Sequence, residues 1–148
     1  MTIPEISRED FSLIDKETAI IYRQFDNIYD FKTLDIKENI EILYTQSYKS
    51  ETWSKLRKIS DGLIIEWLDD TGYIMRLVTD NQRYETKRNI KIGDTSEKVL
   101  KAYGKDASWI GDKKIEYCLG NAEFETMCCL TFYLKDGFVN QIEITCGD

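Results

Sequence analysis

The chain has no histidine in its 148 residues. That absence removes the commonest general base and the commonest nitrogen ligand for a metal. Neither a Ser-His-Asp nor a Cys-His catalytic arrangement can be assembled from it. Its four cysteines, Cys118, Cys128, Cys129 and Cys146, contain no C-x-x-C pair, so a structural zinc centre would need four thiolates at an unusual spacing. Neither G-x-x-x-x-G-K-S/T nor G-x-G-x-x-G occurs, which leaves a nucleotide cradle without support. No run approaches the ~20 apolar residues of a membrane-spanning helix, and the opening MTIPEISRED has neither the basic nor the apolar part of a signal peptide. Bases are in deficit, 20 against 27 acids for a net charge of −7. This opposes binding to a phosphate backbone, whose affinity comes from Lys and Arg displacing counterions. Nucleic acid is therefore not an expected direct partner, and insertion into a membrane is not expected.

What is present describes a globular chain: 42% hydrophobic residues, three Trp, nine Tyr, six Phe and a single proline, Pro4. A chain of this length buries roughly 70% of the surface exposed on unfolding, enough for one core. Acid pairs such as Asp69-Asp70 and Glu123 with Glu125, like Glu41, fit turns and solvated edges, and none has the spacing of a calcium loop. No catalytic, metal-binding or cofactor-binding residue is expected, and the chain reads as a non-enzyme.

The C-terminal third shows the clearest strands. Ile115–Leu119 is a short one, and Met127–Leu134 and Phe138–Cys146 form a hairpin through Lys135-Asp136-Gly137. The expected register has a three-residue loop with Gly137 as a bulge. It sets Leu134 opposite Phe138, Phe132 opposite Asn140, Leu130 opposite Ile142 and Cys128 opposite Ile144. Thr131, Tyr133, Val139, Gln141 and Glu143 then occupy the other face. Leu63–Leu68 and Tyr73–Thr79 form a second hairpin around Asp69-Asp70-Thr71-Gly72. Written side by side, IIEWLDDTGYIMRLVT and LTFYLKDGFVNQIEIT match in order, with Leu68 against Leu134, Gly72 against Gly137, Ile74 against Val139 and Leu77 against Ile142, the mark of a duplicated unit. Asn39–Tyr48 and Thr52–Ile59 read as two more strands, and Asp80–Arg88 as a polar connector.

Each unit calls for a helix ahead of its hairpin. In the second, Asp94 is the expected N-cap, Glu97 completes a capping box, Val99, Leu100 and Tyr103 form the apolar stripe, and Gly104 stops the helix. Asp94 also fills the position an anion would take at that helix start, so the segment marks a fold and not a site. The counterpart in the first unit is Asp15–Phe25, which reads equally as a strand because its Ile, Tyr and Phe content has no decisive period.

The segment RNIKIGDTSEKVLKAYGK, with the strands around Asp136-Gly137, resembles the beta-lactamase-inhibitor-protein-like modules, a group similar in build to the small outer-membrane assembly lipoproteins. Thr86, Ile90, Ile92, Gly93, Asp94, Thr95, Tyr103, Gly104, Asp136 and Gly137 meet the pattern, and Asn89 stands where it usually has glycine. The resemblance implies an α+β fold, an antiparallel sheet with helices packed on one face and the other face used to bind a protein. It also implies an exported, non-enzymatic module at the cell surface or in the envelope, its export signal lying outside the given sequence. The expected organisation is a single domain, 1–148, of two repeated helix-plus-hairpin units, about 1–85 and 86–148.

On the face opposite the helices the register places Thr131, Tyr133 and Gln141. The repeat adds Ile65, Trp67, Ile74 and Arg76, a row of Trp, Tyr, Ile and Arg of the kind that anchors interfaces. The competing reading has the first hairpin covered on both faces. Glu66 falls at a core position and needs a partner there. The cysteines read either as small hydrophobes packed in strands or as one disulfide, for which Cys118 and Cys129, on one face of neighbouring strands, are placed. The expected function is binding another protein through the exposed sheet face. A second reading is a small intracellular acidic inhibitor or immunity-type protein that blocks another protein's active or nucleic-acid-binding site; free cysteines would favour it.

Overall fold

Period-two alternation marks the longer strands, and the computed structural model, which describes residues 2–31, 39–123 and 125–147, is dominated by them. Its strands are β1 (Ser12–Asp15), β2 (Ile21–Arg23), β3 (Ile40–Tyr48), β4 (Glu51–Ser60), β5 (Leu63–Leu68), β6 (Ile74–Thr79) and β7 (Tyr84–Thr86), followed by β8 (Trp109–Ile110), β9 (Lys114–Asn121), β10 (Thr126–Lys135) and β11 (Phe138–Cys146). One α-helix, α1 (Ser96–Tyr103), lies between β7 and β8. Eight strands form one antiparallel sheet in the order β3-β4-β5-β6-β11-β10-β9-β8, and β2-β1-β7 form a second.

This corrects the expected α+β layering. Of the described residues 54% are strand and 10% helix, and the large sheet is covered by the small one together with α1 and the segments around them. Asp15–Phe25 is not a helix but β1's last residue, a turn and β2, because Leu13 and Tyr22 pair directly and both point into the core. The polar connector Asp80–Arg88 contains β7, which pairs with β1.

The C-terminal hairpin also differs from expectation. Asp136 and Gly137 both have positive φ, 53° and 83°, so the turn has two residues, and Lys135 faces Phe138. The bulge lies instead in β11, at Asn140, between the pairs Leu134–Val139 and Tyr133–Gln141. It turns Val139 inward and sets Phe132 opposite Ile142 and Leu130 opposite Ile144, all four buried.

The first hairpin carries the same bulge at Met75, between Trp67–Ile74 and Glu66–Arg76. The duplication extends to the backbone bonds. Phe25 N–H donates to Ile74 O (2.9 Å), Ile74 N–H to Asp26 O (2.9 Å) and Ile28 N–H to Gly72 O (2.8 Å); in the second half Gly93 N–H donates to Val139 O (2.8 Å), Val139 N–H to Asp94 O (2.8 Å) and Ser96 N–H to Gly137 O (3.0 Å). Phe25, at φ 65°, stands where the second half has Gly93 at φ 94°. Each turn is followed by a capped helical start, Asn27 accepting from Tyr29 N–H and Thr95 from Lys98 N–H. The first ends after one 3-10 turn, Ile28–Asp30, whereas the second becomes α1. Where β6 meets β11, Val78 faces Glu143, Leu77 faces Ile144 and Thr79 faces Ile142. Equivalent residues thus meet about a pseudo-twofold axis through Val78 and Glu143. What repeats is a capped turn followed by a four-stranded meander, preceded by β1 and β2 in the first half and by β7 in the second, not a helix plus hairpin.

The core lies between the large sheet and its cover. Leu63, Ile65, Trp67, Ile74, Leu77, Leu130, Phe132, Ile142 and Ile144 meet Phe11, Leu13, Tyr22 and Ile28 of the N-terminal segment and Val99 and Tyr103 of α1. Tyr103 packs 5.3 Å from the Tyr117 ring and 5.4 Å from Phe132. Thr95, not Asp94, caps α1. Asp94 accepts from Lys91 N–H (2.9 Å) and pairs with the Lys91 and Lys98 ammonium groups, which close the loop before the helix. Gly104 stops α1 as expected, and its carbonyl accepts from the Tyr117 hydroxyl at 2.6 Å. Asn89, at φ 65°, takes the left-handed conformation that a glycine would.

Candidate functional site on the open sheet face

The large sheet has a second face, and a ladder of charged side chains crosses it. Alternation within β5 and β6 directs Glu66 and Arg76 to this face, and they stand opposite each other. Arg76 donates to Glu66 at 2.7 Å and to Glu143 at 2.8 Å. Lys55 lies 3.5 Å from the other oxygen of Glu66. Tyr133 donates to the second oxygen of Glu143 at 3.2 Å. Next to this row Thr131 donates to Glu116 at 2.8 Å, with Lys114 3.7 Å away. The partner that Glu66 needs is therefore supplied twice, although its side chain is only 6% exposed. Burial pulls the Arg76 pKa down, but the bonds to Glu143 and Glu66 outweigh it and the net shift is upward. Burial first, then the Glu143 charge, raises the Tyr133 phenol.

An apolar row runs alongside. Ile59 faces Ile64 and Ile64 faces Val78. Together with Gln141 they line a shallow depression at the pseudo-twofold axis, and Ile59 is 54% exposed.

Four of the seven residues expected on this face, Arg76, Thr131, Tyr133 and Gln141, are on it, although Thr131, bonded to Glu116, is itself buried. Ile65, Trp67 and Ile74 are not: they lie on the covered face at 1%, 0% and 0% exposure. The bulges turn Ile74 and Val139 inward, and the alignment that superposed Leu68 on Leu134 set β5 one residue out, because Trp67 is the residue that pairs as Leu134 does. Lys55, Arg57, Ile59, Ile64, Glu66 and Val78 were missed as neighbours, whereas Glu143 lies on the face where alternation put it. The signal for them was the alternation of Lys55, Arg57 and Ile59 against Ser54, Leu56 and Lys58. It separates a basic cluster that looks uniform in sequence, and Lys58 is buried on the covered side.

A second recess, of about 210 Å³, opens between the sheets and is lined by Asp15, Tyr22, Lys58, Asp61, Arg83 and Tyr84. It is smaller than the roughly 300 Å³ of ordinary ligand pockets. Arg83 is held by Asp15 (2.8 Å), Glu17 (3.0 Å) and Asp61 (3.7 Å), which leaves its charge matched by acids. Burial pushes the Tyr84 phenol up to about 12.

The cysteines form two disulfides, Cys118–Cys129 and Cys128–Cys146, not one. Adjacent residues of a strand point to opposite faces, so Cys129 staples β10 to β9 on the open face and Cys128 staples β10 to β11 on the covered face. Both lie beyond the repeat. The first half turns back at Asp61-Gly62 after the pair Ser60–Leu63, while the β9–β10 hairpin continues through Cys118–Cys129 to Asn121–Thr126. Glu116 lies within 4.8 Å of the Cys118 and Cys129 sulfurs, but sulfurs joined in a disulfide supply no thiolate ligand.

Fold and site together define an internally duplicated antiparallel β protein with one sheet face covered and one open. Compared with protein-family models, curated protein sequences and solved structures, the chain matches none. Among the described residues no helix is long and apolar enough to cross a membrane.

Proposed function

We propose that the protein is a non-catalytic binding module that receives another protein on the open face of its large sheet. One observation carries the reading: side chains from six neighbouring strands, β4 to β6 and β9 to β11, form one contiguous face whose charge ladder, among the described residues, bonds within the sheet. Its composition suits the role. The Ile59–Ile64–Val78 row supplies an apolar centre, and the charge ladder beside it is already paired, so a partner buries no unmatched charge. The resemblance of the segment before and within α1 to inhibitor-protein-like modules points the same way.

The acidic-mimic alternative is not favoured. The open face alternates Lys55, Arg76 and Lys114 with Glu66, Glu143 and Glu116, a mixed field unlike that of nucleic acid. No described cysteine is free. Two disulfides support an oxidising compartment and hence an extracytoplasmic setting.

The test is photo-crosslinking from a benzophenone side chain placed at Gln141 or Ile59, with the helix position Lys101 as control. A partner captured from both open-face positions and not from Lys101 is the expected result. Equal capture from all three positions, or capture from Lys101 alone, would refute the reading.

A further inference from the structure

The two ends of the large sheet are unequal. At one end β8 is only two residues long, a length that offers little to a further strand. At the other, β3 is nine residues long and, among the described residues, pairs only with β4. Sheets normally blunt such an edge with Lys, Pro or an inward-pointing charge. Ile40–Tyr48 contains no Lys, Arg or Pro, and Glu41, paired with Arg57, is its only charged residue. A bulge at Leu43 confines this protection to the first part of the strand. From Tyr44 to Tyr48 pairing with β4 is regular and every residue is exposed.

The β3–β4 hairpin also extends past the cover. On one side of its outer half Thr45 bonds Ser54 (2.8 Å) and Ser47 bonds Thr52 (2.9 Å), which fixes the two strands to each other. On the other side Tyr44, Gln46 and Tyr48 stand in a row. From Tyr44 to Tyr48 the edge strand thus carries no charged residue of its own and, among the described residues, pairs only on the β4 side, which leaves a row of backbone donors and acceptors facing outward.

We propose that β3 is a homodimer interface, in which the edges of two copies pair antiparallel about a twofold axis and join the two sheets. Antiparallel self-pairing satisfies the twofold requirement for any strand paired with its own copy. Directly opposed residues share a face, so the register centred on Gln46 sets Tyr44 of each copy opposite Tyr48 of the other and Thr45 opposite Ser47. It forms two cross-strand aromatic pairs and sets no charged residue of β3 opposite another. The open faces of the two copies become continuous across the join. The dimer is independent of the protein-binding reading: β3 lies at the margin of the proposed docking face, and neither requires the other.

Sedimentation velocity of the full chain over a concentration series, with far-ultraviolet circular dichroism to confirm folding, tests the pairing. The wild type is expected to shift from monomer to dimer as concentration rises. Gln46→Lys and Gln46→Glu, substitutions at an exposed residue, should each weaken the dimer roughly tenfold by placing like charges opposite each other. An equimolar mixture of the two should restore it as a heterodimer. A wild type that stays monomeric overturns the proposal, as does a dimer indifferent to both substitutions or a mixture no stronger than either variant alone. If dimerisation fails while crosslinking from Gln141 and Ile59 persists, the edge is wrong and the open-face reading stands.

Discussion

Arg88 spends all five of its guanidinium donors on Asp10 and the chain around it. Nε and one NH2 hydrogen bond Asp10 at 2.9 and 3.0 Å, and the remaining three bond the carbonyls of Pro4 (2.9 Å), Glu5 (3.0 Å) and Ala102 (3.0 Å). The guanidinium also lies over the Tyr103 ring, 4.8 Å from its centre. One side chain thereby fastens the N-terminal segment to the end of α1. Asp10 is 1% exposed, so losing Arg88 leaves a buried carboxylate unpaired. Arg88→Ala should cost about 3–5 kcal/mol in urea unfolding. Arg88→Lys should recover little of it, because an ammonium cannot reproduce the planar fork. A near-neutral Arg88→Ala would show that the N-terminal segment contributes little to stability.

Trp67 and Tyr133 separate core from surface. Trp67 is fully buried, and its indole N–H finds no acceptor among the described residues. Trp67→Ala should cost about 3–5 kcal/mol, and Trp67→Phe far less, since no hydrogen bond is lost. Tyr133→Ala, on the open face, should change stability by about 1 kcal/mol. Comparable losses at Trp67 and Tyr133 would mean that the open face is covered.

Acid should unfold the protein partly through Asp15. Its bonds from Arg83, with a lesser one from the Glu17 N–H, lower its pKa below the ordinary 3.8 in spite of burial. A folded pKa below the unfolded value means that the stabilisation is complete above about pH 4 and is lost as pH falls through the folded pKa. Asp15→Asn should flatten that part of the stability–pH curve. Asp26 acts in the opposite sense, because burial raises its pKa; its contribution is present below the unfolded value and lost as pH rises through the folded one. Unfolding by urea between pH 2 and pH 6 in steps of about one unit checks both signs, and an unchanged acid limb in Asp15→Asn would remove Arg83–Asp15 from the account.

The two disulfides should differ in access. Cys118 and Cys129 are half-buried on the open face, whereas Cys128 and Cys146 are each 4% exposed beneath the cover. A dithiol reductant applied to the native protein should open Cys118–Cys129 first, read by alkylation and peptide mass spectrometry. Replacing Cys128 and Cys146 together by Ala should cost about 2–4 kcal/mol. Simultaneous reduction of both bonds would show that the cover opens readily.

Strand positions were legible where alternation was strong. β5, β6, β10 and β11, the duplication, and the stop of α1 at Gly104 could all be read from residue order. The faces were legible only in part: Thr131, Tyr133, Gln141 and Glu143 lie where alternation put them, whereas the single-residue bulges at Met75 and Asn140 turn Ile74 and Val139 inward, and no residue type announces a bulge at those positions. The helix cap moved from Asp94 to Thr95 because Lys91 and Lys98 hold the Asp94 carboxylate, a competition that spacing does not reveal.

The sequence by itself determined that the chain would fold around paired strands in two related halves, and its lack of histidine limited the chemistry open to it. Tertiary structure decided the rest. Register is set by which side chains can be buried together across strands distant in sequence, so the covering sheet, the burial of Trp67, the pairing of Glu66 with Arg76 and Lys55, and the open face itself follow only once β6 meets β11 at Val78 and Glu143.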